Sequence, residues 1–117
     1  MPAYEKHLVG RRLAVAAQTV AEVRYRALAA GWGERRLAVV ERLVHRALVL
    51  PIDDETVWAY ARLHAAAKHI GHPLHQKEHT GDLWIAATAI RWHLPLAAHD
   101  AVFIGSPGLD LRTELTA

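Results

Sequence analysis

Three acidic residues, Glu22, Asp82 and Asp100, stand where a carboxylate can do chemistry rather than only solvate a surface. Asp82 and Asp100 bracket the almost wholly apolar passage "LWIAATAIRWHLPLAAH". A helix is predicted from about Asp82 to Trp92, followed by a strand "PLAA" at 95–98 that leads directly to Asp100. A helix of that length rises about 16 Å, and a short strand covers a similar distance back. In a parallel α/β unit the crossover helices run opposite to the strands. Helix N-termini and strand C-termini therefore share one edge of the sheet, where ligands bind in open α/β folds. Glu22 falls in the first turns of a helix after the strand-like run "LAVAA" (13–17), so the same geometry sends it to that edge. Carboxylates gathered there repel one another unless a cation neutralises them. An all-oxygen set without cysteine suits Mg²⁺ or Mn²⁺, which can ionise a water and shield a phosphodiester from the charge of the attacking hydroxide. Each acid also has a plainer use: Asp82 as a helix N-cap, Asp100 as a turn residue, Glu22 as a solvated helical charge.

The elements that must position these residues follow from periodicity and punctuation. "TVAEVRYRALAAGWG" places Val20, Val23 and Ala27 at helical spacing and ends at Gly31. "ERRLAVVERLVHRAL" carries an apolar stripe of Leu37, Val40, Leu43 and Val44. "LVLPI" reads as a strand, and Asp53 or Asp54 caps a helix through "ETVWAYARLHAAAKHI". Gly71 and Pro73 break that helix and open a histidine-rich loop, while "PGLDLRT" suggests a turn and a last short strand. Strands alternating with helices predict an α/β layer fold with a mainly parallel sheet. No repeat or linker-like run divides residues 1–117, so a single domain is expected.

The bulk composition restricts the function classes. The chain has 117 residues, 52% hydrophobic and 22% charged, as a folded domain with a modest core requires. It has no cysteine, which removes disulfides and thiolate metal sites. No signal-like or membrane-spanning run is evident, so a cytoplasmic protein is expected. His69, His72, His75 and His79 lack the spacing of a zinc site and are read as polar residues near a site rim. His79 and His99 flank the acids and could contact a phosphate or a leaving oxygen, with structural hydrogen bonding as the plainer role. Trp84 and Trp92, eight residues apart, are expected in the core, and Trp32 at an exposed turn or interface.

Several segments, "QTVAEVRYRAL", "GDLWIAATAI", "LPLAAHDAVF" and "PGLDLRT", together resemble PIN domains in order and spacing, nearest the VapC-type toxins of bacterial toxin–antitoxin pairs. The resemblance covers essentially the whole chain. It implies a PIN-like parallel sheet flanked by helices and a Mg²⁺- or Mn²⁺-dependent endoribonuclease that hydrolyses structured RNA. It further implies a homodimer and a small antitoxin wrapping the helices near residues 20 to 46. The family's acids map onto Glu22, Asp82 and Asp100. Arg24, Arg26, Arg35 and Arg36 become candidates for RNA phosphate or an acidic antitoxin tail, against a solvated helix face. The chain departs from the pattern in one respect. Family members open with a strand bearing a further aspartate, whereas here Glu5 is the sole acid before Glu22. That departure predicts an N-terminally truncated sheet, with weakened cleavage or an inactive module that binds antitoxin or self-associates as the alternative.

Overall fold

The computed structural model describes residues 14–98 and 100–113. These fall into two compact units, one running to Pro51 and the other from Ile52 onward. The N-terminal segment, where the family's aspartate-bearing first strand is expected to be missing, lies outside the described residues, as does His99.

In the first unit β1 (Ala14–Ala16) leads without a loop into α1 (Ala17–Ala29), and α2 (Glu34–Arg46) leads into β2 (Leu48–Leu50). The two strands pair in parallel, Ala14 opposite Leu48 and Ala16 opposite Leu50. Gly31 ends α1 with φ 65°, and the Trp32 N–H reaches back to the Ala27 carbonyl at 3.0 Å, a six-residue closure that only a left-handed residue permits. Arg24 crosses from α1 to α2 and grips Glu41 with two 2.9 Å hydrogen bonds. Val20 and Ala27 are buried as the helical spacing predicts, but α2 buries nothing completely. Of its expected stripe, Leu37, Val40 and Val44 are half-buried and Leu43 is 59% exposed.

The second unit contains α3 (Asp54–Ile70), two 3₁₀ turns (Pro73–His75 and Lys77–His79), α4 (Thr80–Arg91), β3 (Leu96–Ala97), a 3₁₀ turn (Ala101–Phe103) and β4 (Leu111–Arg112). β3 and β4 pair in parallel. Asp53 starts α3 with a reciprocal capping box: its carboxylate accepts from the Thr56 N–H at 2.9 Å, and the Thr56 hydroxyl accepts from the Asp53 N–H. α3 and α4 meet through Ala59, Ala67, Ala86 and Ala87, small side chains that let the helices approach closely, with Leu63, Leu74, Leu83, Val102 and Phe103 filling the rest of the core. Arg91, at the end of α4, returns to the start of α3 and binds Asp53 through Nε and Nη2, the shortest contact being 2.7 Å.

Parallel pairing and alternating helices give the α/β architecture expected, with helix much the larger share. α4 begins two residues before Asp82, and β3 is two residues long rather than four. Trp84 is half-buried and stacks on Tyr60 at 4.0 Å between ring centres, while Trp92 follows the end of α4 beneath the Arg91 guanidinium. His72, expected at a site rim, is instead buried, 8% exposed. No helix among the described residues is long and apolar enough to cross a membrane.

Candidate active site

Asp82 is the third residue of α4, in the turn whose unpaired N–H groups favour negative charge. Its role is not that of an N-cap. His79 occupies the cap position without a side-chain capping bond, and its Nδ1–H donates instead to Asp82 Oδ2 at 3.2 Å. Both side chains are 29% exposed, so the pair is open to solvent along one side. The Thr80 hydroxyl donates to the Lys77 carbonyl at 2.7 Å, which ties the preceding 3₁₀ turn to the first residue of α4.

Asp100 lies three residues beyond β3 and caps the 3₁₀ turn that follows. Its Oδ1 accepts from the Val102 N–H at 3.1 Å and its carbonyl accepts from the Phe103 N–H at 3.2 Å. The turn reading of Asp100 is therefore real, and it uses one carboxylate oxygen. The other, Oδ2, has no hydrogen bond among the described residues, and the side chain is exposed. The capped turn packs against α4, so both aspartates hang from elements of one packed unit.

Glu22 belongs to the first unit, at the sixth position of α1, half-buried, with Oε1 accepting from the Gln18 amide at 3.2 Å. In the same unit Arg24 is occupied: hydrogen bonding to Glu41 holds that carboxyl below its ordinary range and raises the guanidinium in return. Arg26 and Arg35 are exposed, and Arg36 lies over the Trp32 ring at 4.1 Å.

Hard carboxylate oxygens are the donors Mg²⁺ and Mn²⁺ prefer, and Mg²⁺ commonly takes only one or two carboxylates, completing its shell with water and phosphate oxygen. Asp82 and Asp100 suit that demand in kind. No group of three or more His, Asp or Glu able to hold a metal ion occurs among the described residues.

Two further side chains have roles that the sequence does not reveal, His72, which was expected at a site rim, and Arg91. His72 accepts the Leu74 N–H on Nδ1 at 3.1 Å, so its proton must sit on Nε2, which donates to the Ile104 carbonyl at 2.8 Å. Nothing in a four-histidine loop distinguishes the buried member. Arg91 was likewise unmarked, although Asp53 was already recognisable as a cap.

The sequence profile of the PIN domain family matches residues 2–105. Ribonuclease VapC5 of Mycobacterium tuberculosis is 32% identical over 109 residues, a match covering 89% of this chain and 76% of that protein. This chain is a PIN domain of the VapC type. Among solved structures, the VapBC-5 toxin–antitoxin structure from Mycobacterium tuberculosis aligns over 97% of this PIN domain and 89% of its own chain, with 29% identity and a TM-score of 0.73. The DNA-bound VapBC of Salmonella typhimurium aligns over 96% and 85%, with 24% identity and a TM-score of 0.80, a likeness of fold. The PIN fold expected from the sequence is thus the fold observed.

Proposed function

We propose that this protein is the toxin of a toxin–antitoxin pair, a cytoplasmic Mg²⁺- or Mn²⁺-dependent endoribonuclease that forms one PIN domain over residues 1–117. The observation that carries the reading is the 32% identity to a VapC ribonuclease across most of both chains, with Asp82 placed in the first turn of α4. Glu22, Asp82 and Asp100 are assigned as the acids that hold the metal. When bound, the metal supplies an ionised water and positive charge against the phosphodiester. His79 orients the Asp82 carboxylate through its 3.2 Å hydrogen bond, fixing which oxygen turns outward. Asp100 presents Oδ2 because its turn engages only Oδ1. Arg26, Arg35 and Arg36 offer charge to RNA phosphates or to an acidic antitoxin segment, and Arg24 does so only by releasing Glu41. His99 belongs to the same RNA-contact assignment by its place beside Asp100.

The antitoxin is assigned to the α1–α2 face. Tyr25, Leu28, Val39 and Leu43 are all exposed there, between 44% and 73%, more apolar surface than a hairpin left in water should carry. Self-association as a homodimer is part of the same proposal.

Incubation of RNA with the protein and Mn²⁺ tests the reading. Cleavage that stops on chelation and is lost in Asp82→Asn is the expected result; equal cleavage by that variant removes Asp82 from the mechanism. A second reading, an inactive module that only binds its antitoxin, is favoured by the lack of a three-donor group among the described residues. Calorimetric titration with Mn²⁺ separates the two, since the nuclease requires saturable binding that Asp82→Asn weakens, and the inactive module requires none.

A further inference from the structure

We propose that His72 is the positioning residue for Asp100, holding the turn from which that carboxylate projects; the inference rests on the nuclease reading above. His72 is buried at a junction between two segments that lead to the candidate acids. On one side Nδ1 accepts from Leu74, the fully buried centre of the 3₁₀ turn Pro73–His75, from which the chain runs through Lys77–His79 to Asp82. On the other side Nε2–H donates to the carbonyl of Ile104. Ile104 closes the turn that Asp100 opens: its N–H donates to the Ala101 carbonyl at 3.1 Å, while Asp100 itself caps Val102 and Phe103. The imidazole is therefore a buried strut between the two turns, with its tautomer set by the Leu74 N–H. Asp100 is exposed and three residues removed from β3, so its position depends on the turn it caps. The core residues Val102 and Phe103 anchor the turn from below, and His72 fixes its far end.

The two bonds can be cut separately. Asparagine places an oxygen near the position of Nδ1 and keeps the acceptor for Leu74, but it is too short to reach Ile104. Glutamine places its amide nitrogen near the position of Nε2 and keeps the bond to Ile104, but it leaves the Leu74 N–H unpaired. Each variant loses one buried hydrogen bond, so the thermal stabilities of His72→Asn and His72→Gln should fall together. Their kinetics should not. Under Mn²⁺-dependent RNA cleavage, His72→Asn is expected to lose roughly 10- to 100-fold in kcat with KM little changed, as a sub-ångström shift of a reacting carboxylate would produce. His72→Gln should stay within about three-fold of the wild type, since the strut to the Asp100 turn survives. Hydrogen exchange supplies a readout independent of activity: protection of the Val102 N–H should drop in His72→Asn and persist in His72→Gln. Equal kcat in the two variants, or unchanged Val102 protection in both, overturns the assignment. If Asp100→Asn is inactive while the two His72 variants behave alike, this inference fails and the nuclease reading stands. Should the wild type cleave no RNA, or Asp100→Asn cleave normally, the nuclease reading fails and takes the inference with it.

Discussion

Arg91 and Asp53 show how a residue far from the acids stabilises the unit that carries two of them. The pair joins the C-terminal end of α4 to the N-terminal cap of α3, and the Arg91 guanidinium also covers the Trp92 ring at 4.2 Å. The hydrogen bonds from Arg91, then those from Thr56, hold the Asp53 carboxyl far below the ordinary carboxylate range. Because the folded carboxyl is the more acidic, its contribution is complete above the unfolded value near ~4 and is lost as pH falls through the folded one. In urea melts, Arg91→Met should be clearly less stable than the wild type at neutral pH, with the gap narrowing steadily below about pH 4. A gap independent of pH would show that packing on Trp92, not charge, is what Arg91 supplies. The pair is partly exposed, so added salt should also narrow it.

At the scale of elements, the two units differ in how much of their apolar pattern is satisfied. α4 buries Leu83, Ala86, Ala87, Thr88 and Ala89, whereas α2 buries none of its residues fully. Leu83→Ala should therefore destabilise the protein by about 2–5 kcal/mol, the range for a well-packed leucine. Leu43→Ala should change stability by no more than about 0.5 kcal/mol, as an exposed site does, yet weaken capture of the antitoxin if α2 is its seat. Denaturant melts and antitoxin titrations of the two variants check both statements, and a Leu43→Ala protein that binds antitoxin normally removes that face from the interface. The same contrast explains what could be read in advance. Helices and their ends were legible because Gly31, Gly71 and Asp53 carry local turn and cap chemistry that depends on no distant partner. The positive φ of His93, where α4 closes with the Leu94 N–H on the Ala89 carbonyl, was not, since nothing marks a histidine as the left-handed residue. The α2 stripe predicts the helix correctly but not its degree of burial, because periodicity shows which face is apolar and not what covers it.

Across the whole molecule, topology is what proposes the acids as a pair: one helix and one strand carry the chain from Asp82 to Asp100. The local settings of both are as that argument needs, Asp82 in the first turn of α4 and Asp100 just beyond β3. The turn bond of Asp100 matches its plainer expected use, whereas the bond of Asp82 to His79 was not legible, because side-chain partners depend on cap geometry that spacing does not encode. The central claim is that these two carboxylates serve one metal-dependent hydrolysis. Single-turnover RNA cleavage in Mn²⁺ by the wild type, Asp82→Asn, Asp100→Asn and the double variant tests it most directly. If the two act as one unit, each single change should cost on the order of 10³-fold, and the double should cost little more than the worse single. Losses that multiply in the double variant, or a single variant with full activity, would contradict a shared site.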